Sequence, residues 1–542
     1  MKNFVLAALA VAGWAVAVSF AASPVSAAGQ SCPALAKLEL PNAMVTSAEL
    51  VAAGAFTPPK GVPAWMAGDP ALYQGLPAFC RLTVQSKPSP DSDIQIEVWL
   101  PASGWNGKFR GLGNGGFAGS IDYGGLGMAI AQGYATGATD TGHSANGTDA
   151  SWALGHPEKI IDFGYRAIHE MTAVGKAAAQ AFYGDPPKHA YFASCSNGGR
   201  QALMEAQRYP ADYDGILAGA PANYWTHLLT GALWDAQATT NDAASYIPSS
   251  KIPAIAQAVV VACDAQDGVK DGILNDPRQC HFDPGTMLCK EADAESCLTA
   301  PQVTALKKLY DGARDSNGKQ IFPGFVPGAE SGEGGWPLWI TGPAPGKALL
   351  FAFGYGYFAD MVYAKADWDY KQASLDQAVA ASDEKYANVL NSTQTDMEAF
   401  QARGGKLIIY HGWDDPAISA LNSINYYSSV VSKMGRPASD SFLRLYLVPG
   451  MQHCSGGPGP DEFGEFGSSQ PSDTQHNMVR ALEEWVEKGT APGPVIASKH
   501  QGSGPTGNVT MTRPLCAYPQ SAKYKGSGDT NDAANFVCLG KN

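Results

Sequence analysis

Apolar and polar positions alternate along the chain in a way that predicts short strands separated by helices. Residues 94–100 alternate in polarity up to Pro101, which is typical of a strand. Further strands are predicted at 108–112, 134–139, 190–194, 214–220, 406–410 and 442–448, and helices at 162–182, 199–209 and 474–488. Several of these strands are continuous apolar runs. Such strands, alternating with helices, predict an α/β fold with a parallel sheet.

One interval between predicted strands is too long for a single connection. About 185 residues separate the strand ending near Ala220 from the one beginning at Lys406, whereas a crossover needs a few tens of residues. We therefore expect a separate module at 225–395, inserted into a core formed by 28–224 and 396–542. The second half of this module is rich in aromatic residues: Trp336, Trp339, Phe351, Phe353, Tyr355, Tyr357, Phe358 and Trp368.

The first 27 residues have the pattern of an export signal. Lys2 supplies a positive start, Phe4 to Phe20 form an apolar run, and residues 25–27 (Val-Ser-Ala) offer small side chains for cleavage. No later segment is expected to span a bilayer. The mature protein is therefore predicted to be secreted or periplasmic.

Composition limits which kinds of molecule the protein is expected to bind. Of the 542 residues, 45% are hydrophobic and 16% charged, and the net charge is -13. Such a chain can bury a sizeable core. It lacks the excess of lysine and arginine that nucleic acids or anionic membranes require. We expect no nucleic-acid partner and no membrane association after signal cleavage.

The candidate nucleophile is Ser196, within residues 194–199 (Ser-Cys-Ser-Asn-Gly-Gly). A serine between a short buried strand and a helix that opens with glycines is typical of a nucleophile elbow. The tight turn pushes the hydroxyl above the sheet, and small residues on either side let strand and helix pass closely. Ser194 stands where the usual G-x-S-x-G pattern has its first glycine.

Candidate partners follow two later strands in the order serine, acid, histidine that this fold uses. Residues 411–416 (His-Gly-Trp-Asp-Asp-Pro) offer Asp414 or Asp415, which spacing alone barely separates, and residues 449–454 (Pro-Gly-Met-Gln-His-Cys) offer His453. His411 ends its strand directly and is expected to pack or to orient the loop. His143 precedes the serine and breaks the order.

The predicted chemistry is acyl transfer from an ester. Ser196 would attack the carbonyl while His453 takes its proton, and Asp415 would orient the imidazole. Two backbone N–H groups should stabilise the oxyanion. One is expected from Asn197, the residue after the nucleophile, and the other from the glycine loop at Gly115 and Gly116.

The ten cysteines of an exported chain predict disulfides. Cys195 precedes the candidate nucleophile and Cys454 follows the candidate base, so a hydrogen bond between Ser196 and His453 would bring these cysteines within disulfide reach. Three short-range pairs are also candidates: Cys263 with Cys280, Cys289 with Cys297, and Cys516 with Cys538. No C-x-x-C pair occurs, which disfavours a cysteine zinc site.

A loop in the predicted insertion has the composition of a calcium site. Three carboxylates, Asp264, Asp267 and Asp271, occur within eight residues beside glycines, which makes an oxygen cage for a hard cation plausible. The carbonyls of Val269 and Ile273 would complete it. The spacing is not that of an EF-hand. A solvated acidic turn is the alternative interpretation.

These motifs resemble the tannase and feruloyl esterase family, which also includes the mono(2-hydroxyethyl) terephthalate hydrolases. The resemblance covers nearly all of the mature chain and rests on residues 194–200, 214–221, 264–273, 411–415, 449–454 and 513–519. It implies an α/β-hydrolase core with a large inserted lid domain, a Ser-Asp-His triad and a structural Ca²⁺ in the lid. In the family's His-Gly-x-x-Asp pattern the acid is the fifth residue, which selects Asp415.

The resemblance also implies the cysteine pairing: Cys32 with Cys80, Cys195 with Cys454, Cys263 with Cys280, Cys289 with Cys297, and Cys516 with Cys538. It implies esters of aromatic acids as substrates. A phenolic-acid ester of the feruloyl or galloyl type ranks first, and a mono(2-hydroxyethyl) terephthalate-type monoester is the alternative. A calcium-stabilised binding protein without catalysis and a serine peptidase on the same fold are the remaining hypotheses.

Overall fold

A computed structural model describes Met1 and residues 29–466, 471–502 and 507–540. The predicted signal peptide at 1–27 thus falls, apart from Met1, outside the described residues. Within the described ranges, a nine-stranded sheet forms the centre of the core, in the order β1-β2-β3-β5-β4-β6-β7-β8-β9. The strands are β1 Ala43–Val51, β2 Phe79–Ser86, β3 Ile94–Pro101, β4 Lys108–Gly111, β5 Ala135–Thr139, β6 His189–Cys195, β7 Gly215–Gly219, β8 Lys406–Gly412 and β9 Leu443–Val448.

The sheet is mixed, so the expectation of a parallel sheet is only partly right. The six strands from β5 to β9 in the sheet order, β5-β4-β6-β7-β8-β9, are parallel to one another. The pairs β1–β2, β2–β3 and β3–β5 are antiparallel. Only short segments join β2 to β3, and a short connection forces neighbouring strands to run in opposite directions. The strands predicted from sequence included neither β1, in which Val45 is the single buried residue, nor β2, in which buried positions alternate.

Helices cover both faces of the sheet. In the core they are α1 Ala64–Ala67, α2 Pro70–Gln74, α3 Tyr123–Ala131, α4 Pro157–Ile161, α5 Ala167–Tyr183, α6 Asn197–Arg208, α14 Ala420–Met434, α15 Arg436–Asp440 and α16 Met478–Lys488. A π-helical turn, Asp162–Arg166, leads into α5. The closing helix begins at Met478 and not at residue 474, because the Asn477 side chain caps it by accepting the N–H of Arg480.

The segment between β7 and β8, here called the insertion, is helical. It contains α7 Trp225–Thr240, α8 Ile252–Cys263, α9 Ala300–Asp311, α10 Trp336–Trp339, α11 Leu349–Gly356, α12 Leu375–Leu390 and α13 Glu398–Ala402. The helical stretch 243–267 is long and apolar enough, by length and composition alone, to cross a membrane. Its length and composition differ from the prediction that no segment after the signal is apolar enough for this. In the structure, Ile247, Ile252 and Ile255 belong to a buried cluster that includes residues of α9.

Two hairpins and five disulfides complete the fold. The hairpins pair β10 Val495–His500 with β11 Val509–Leu515, and β12 Ser521–Tyr524 with β13 Phe536–Leu539. The disulfides are Cys32–Cys80, Cys195–Cys454, Cys263–Cys280, Cys289–Cys297 and Cys516–Cys538, which confirms the predicted pairing. Among the described cysteines none is free.

Candidate active site

Ser196 lies on a sharp turn between β6 and α6. Its backbone has φ 67° and ψ −124°, a left-handed conformation that is strained for a residue with a side chain. The N–H of Ser196 donates to the carbonyl of Gly219 at 3.0 Å, which attaches the turn to the end of β7. This strain is what lifts the hydroxyl above the carboxyl edge of the sheet.

Ser194 occupies a position that is usually glycine, and the packing explains why serine fits. A Cβ on Gly198 would clash with the Oγ of Ser194. Because Gly198 on the helix has no side chain, it leaves the space that the hydroxyl group of Ser194 on the strand occupies. A Cβ on Gly199 would likewise meet the Gly219 carbonyl, so both glycines that open α6 are needed for its close approach to the sheet.

A continuous hydrogen-bonded chain joins Ser196, His453 and Asp415. The Oγ of Ser196 lies 2.9 Å from Nε2 of His453, and Nδ1 of His453 lies 2.8 Å from Oδ2 of Asp415. The three residues follow β6, β9 and β8 at the carboxyl edge of the sheet. The structure thus brings together three residues that are far apart in sequence, in the order required for proton transfer.

The structure distinguishes Asp415 from Asp414 by the groups that surround each carboxyl group. The second oxygen of the Asp415 carboxylate accepts the N–H groups of Ala417 and Ile418 at 2.8 and 2.9 Å. Burial alone would raise the pKa of Asp415, but the charges and hydrogen bonds of His453 and His411 hold it below its ordinary value. For Asp414, burial, with the nearby charge of Glu330, raises the pKa well above its ordinary value. Asp415 is therefore the ionised neighbour of His453.

The other two histidines considered from sequence lie elsewhere. His411 is fully buried, with Nδ1 2.7 Å from Ser423 Oγ and Nε2 3.1 Å from the Asp415 carboxylate, so it orients the acid. His143 is buried against Trp152, with ring centroids 3.7 Å apart, and its Nε2 lies 2.8 Å from the Phe117 carbonyl. Neither ring contacts Ser196 in the described structure.

A disulfide connects the two loops that carry the nucleophile and the histidine. Cys195 and Cys454 have Cα atoms 6.0 Å apart and are separated by 259 residues in sequence. Each cysteine adjoins a member of the hydrogen-bonded pair. The covalent link therefore limits how far Ser196 and His453 can move relative to each other.

The N–H groups expected to face an oxyanion are free of protein partners. Within the described ranges, the N–H groups of Asn197, Gly115 and Gly116 donate to no other residue. Gly116 has φ 55°, and a Cβ there would clash with the Gly147 carbonyl. The 115–116 loop consequently depends on glycine for its shape.

Arg200 anchors the start of α6, a role that sequence analysis missed. Its guanidinium is fully buried and donates to the carbonyls of Phe163 and Gly164 at 3.0 and 2.8 Å, while Nε donates to the Asn197 side chain at 2.8 Å. The planar group also lies over the rings of Phe163 and Trp225. Its position directly after the paired glycines is the only sequence signal that could have identified it.

Aromatic side chains lie beside His453. The ring of Trp339, from α10, is 5.0 Å from the His453 ring and stacks with Phe353 at 6.3 Å. Phe353 contacts Phe117 edge-on at 5.3 Å. Trp65 is 58% exposed and lies next to Gly115, so it offers an open apolar face at the rim. A planar ring could bind against these surfaces.

A large cavity opens next to this aromatic surface. Its volume is about 760 Å³, and it is bounded by Trp339 and His453 on one side and by polar residues of the C-terminal region on the other. The ionisable residues lining it are Glu333, Asp461, Glu462, Lys499 and His500. Lys499 is neutralised by Asp461 at 2.9 Å. The described lining therefore has no unpaired lysine or arginine, and burial raises the pKa of the Glu462 carboxyl group.

The acidic loop at 264–273 is compact and half-buried. Asp264 accepts the N–H of Gly272, Asp267 accepts those of Val269 and Asn275, and Asp271 pairs with Arg513 at 2.6 Å. Burial raises the pKa values of Asp267 and Asp271, and neighbouring carboxylates raise both further. The loop thus concentrates negative charge that one arginine balances only in part.

Comparison with known proteins adds independent information. The family model described as tannase and feruloyl esterase matches residues 80–539. An uncharacterised esterase of Xanthomonas campestris is 41% identical over 541 residues, covering 95% of this chain and 92% of that protein. A probable feruloyl esterase B of Aspergillus clavatus is 34% identical, with 94% and 95% covered. The crystal structure of feruloyl esterase B from Aspergillus oryzae superposes with a TM-score of 0.85 at 30% identity, covering 94% and 99%.

Proposed function

The chain belongs to the tannase and feruloyl esterase family of carboxylic ester hydrolases, and on that basis we propose that it cleaves esters of phenolic acids with Ser196 as nucleophile. The observation that carries this proposal is the hydrogen-bonded chain from Ser196 through His453 to Asp415. The same chain of contacts favours catalysis over a purely binding role, because a binding site does not require an activated hydroxyl.

Acylation begins when the Oγ of Ser196 attacks the ester carbonyl while Nε2 of His453 takes the serine proton. Asp415 stabilises the resulting imidazolium through its 2.8 Å hydrogen bond to Nδ1. The tetrahedral oxyanion is held by the N–H of Asn197 and one from the Gly115–Gly116 loop. Collapse breaks the ester bond, and His453 returns the proton to the departing alcohol.

Deacylation repeats these steps with water. His453 removes a proton from the water that attacks the acyl-serine, and the second oxyanion uses the same N–H groups. Breakdown releases the carboxylic acid and restores the Ser196 hydroxyl. The disulfide between Cys195 and Cys454 keeps the serine and histidine loops together through both halves of the cycle.

Two features support a neutral aromatic acyl group. Trp339, Phe353 and Trp65 present apolar ring surface around His453 and the glycine loop. Lys499, the one lysine or arginine in the described lining of the adjoining cavity, is paired with Asp461, so the cavity offers no unpaired lysine or arginine to an anionic substrate. A feruloyl or galloyl ester is neutral, whereas a terephthalate monoester carries a carboxylate, so the phenolic esters are favoured.

The mechanism is tested with Ser196→Ala and an organophosphate probe. We expect the variant to lose turnover of nitrophenyl esters and the probe to label Ser196 in the wild type. Full activity in the variant would refute the serine mechanism. Ligand binding by a wild-type protein that shows no turnover would support a binding protein, and cleavage of casein would support a peptidase.

The substrate class is tested by comparing kcat/KM for methyl ferulate, methyl gallate and mono(2-hydroxyethyl) terephthalate. We expect both phenolic esters to exceed the terephthalate monoester. The reverse order would refute the charge argument and favour the terephthalate-type activity.

We also propose a structural Ca²⁺ in the insertion. The carboxylates of Asp264, Asp267 and Asp271 share one half-buried loop and are only partly neutralised by Arg513. Their oxygen atoms do not all lie within 4.8 Å of one another, so the ion would have to draw them together. The carbonyls of Val269 and Ile273 would complete the ligands. The ion would brace the insertion and take no part in the chemistry. A chelator should lower the melting temperature; an unchanged melting curve and no metal by elemental analysis would refute this.

Export is proposed together with this function. Five disulfides in the described residues require an oxidising compartment. N-terminal sequencing of the protein recovered from its host should begin near residue 28, and an intact Met1 would contradict the proposal.

A further inference from the structure

Three side chains of types that can bind a metal meet near the C-terminal end of α6, the end away from Ser196. His169 lies on α5, Glu205 near the end of α6, and Asp212 in the turn that leads into β7. One possible ligand atom from each lies within 4.8 Å of the other two. Glu205 is nine residues after Ser196, about 13 Å along the helix, so this cluster is separate from the candidate active site.

Glu205 faces the carboxylate of Asp212 and receives no hydrogen bond from an N–H or O–H group of the described residues. Its side chain is 1% exposed, and within the described ranges neither carboxyl oxygen forms a hydrogen bond. Buried polar atoms are almost always satisfied, and a carboxyl group left without a partner is costly. A cation between these groups would supply the missing interaction.

The neighbouring residues hold the other two donors in place and leave a way in. Nδ1 of His169 lies 2.6 Å from the Asp212 carboxylate, and the imidazole stacks on Tyr209 with ring centroids 3.9 Å apart. Lys176 donates to the backbone carbonyl of Asp212, not to its carboxylate. The side chains of His169 and Asp212 are 35% and 16% exposed, so an ion can enter from solvent.

We propose that His169, Glu205 and Asp212 bind one Zn²⁺ ion. One imidazole nitrogen and two carboxylate oxygens are a donor set that zinc accepts, with water in the fourth position. Ligand atoms around tetrahedral zinc lie about 3.3 Å apart, which small rotations of these side chains can reach. The ion replaces the hydrogen bond between His169 and Asp212 and links α5, α6 and the turn before β7.

A second cluster of potential metal ligands does not compete for zinc; it consists of Cys289, Asp293 and Cys297. Its two sulfur atoms form a disulfide with each other, and a disulfide sulfur is not a thiolate ligand. Measurements made without reductant therefore leave it inactive toward zinc.

The test is calorimetric titration of Zn²⁺ into the mature, disulfide-bonded protein, stripped of metal and kept in excess Ca²⁺ so that the 264–273 loop does not compete. One Zn²⁺ per chain is expected. His169→Gln and Glu205→Gln should each weaken binding at least about tenfold, since even the loss of an outer-shell partner has that effect. His169 is partly exposed, so its replacement tests the site even if Glu205→Gln does not fold.

The matched control is His156→Gln. His156 forms a similar contact with Asp91 at 2.8 Å but belongs to no cluster with a third donor among the described residues. Zinc binding should be unchanged in this variant. Absence of saturable binding in the wild type, unchanged affinity in His169→Gln, or anomalous zinc scattering away from the three side chains would overturn the proposal.

Discussion

Replacing Asp415 by asparagine removes the charge next to His453 without changing the volume of the side chain. Its Oδ2 lies 2.8 Å from Nδ1 of His453, and the residue is fully buried. At an effective dielectric constant of 20, two unit charges about 4 Å apart interact by about 4 kcal/mol. Loss of that interaction in the transition state lowers kcat by roughly a thousandfold. The asparagine amide also presents a donor to Nδ1, which favours the wrong imidazole tautomer.

Asp414→Asn is the matched control, because Asp414 is adjacent in sequence and buried to a similar extent. Burial raises the pKa of Asp414 well above its ordinary value, which favours the uncharged carboxyl group that asparagine resembles, and Asp414 makes no hydrogen bond to His453 among the described residues. We expect the Asp414→Asn variant to keep kcat within a fewfold of the wild type.

The assay is steady-state hydrolysis of methyl ferulate, with circular dichroism to verify folding. A folded Asp415→Asn variant with kcat within tenfold of the wild type would refute the role assigned to this carboxylate. An equal loss in Asp414→Asn would show that the distinction between the two acids is wrong.

Three further predictions concern the Cys195–Cys454 disulfide, the aromatic side chain of Trp339 beside His453, and the buried His143. Replacing Cys195 and Cys454 together by serine should lower stability by up to about 5 kcal/mol, from the 259-residue separation, and should also reduce kcat; thermal melts and ester hydrolysis measure both. Trp339→Ala should reduce kcat/KM for methyl ferulate by roughly fivefold, about 1 kcal/mol, but not for nitrophenyl acetate, whose acyl group has no ring. His143→Gln should remove one pH-dependent contribution to the free energy of unfolding. Burial lowers the pKa of His143 to about 4, so between about pH 4 and 6.5 the unfolded chain binds one proton more than the folded chain. The wild type therefore loses about 3 kcal/mol of stability as the pH falls through that range.

Each of these predictions has its own control. Replacing Cys289 and Cys297, which are eight residues apart, should cost about 2.5 kcal/mol and leave kcat unchanged. Trp368→Ala, away from His453 and against Phe358, should not alter the preference for methyl ferulate. For His143 the measured quantity is the difference between wild type and variant, because Asp140, whose pKa burial raises to about 7, has the opposite slope. Equal losses of kcat in the two disulfide variants would contradict the first prediction, and equal substrate selectivity in the two tryptophan variants would contradict the second. The third would be contradicted if the free energies of unfolding of the wild type and of His143→Gln changed in parallel with pH.

Local patterns were enough to predict the parts of the fold that depend on local physics. The buried strands around Phe192, Leu217, Ile408 and Leu445 are short apolar runs, because a strand covered on both faces has no polar side. The position of Ser196 follows from the same local rules: a strand end, a tight turn and two glycines. The choice of Asp415 over Asp414 as the acid of the triad needed the family resemblance, because the two residues are adjacent and lie almost equally far from the end of the preceding strand.

The tertiary structure decided what depends on residues distant in the chain. In the antiparallel edge, β1 could not be predicted because it has too few buried residues to show a pattern, whereas β2 has alternating buried positions and could have been predicted. The contacts of Arg200 with Phe163 and Gly164, and the approach of Trp339 to His453, join segments that sequence spacing does not relate. The ionisation of the two adjacent acids is decided in the same way. The pKa of Asp415 is lowered and that of Asp414 is raised because different side chains surround each of them in the folded protein.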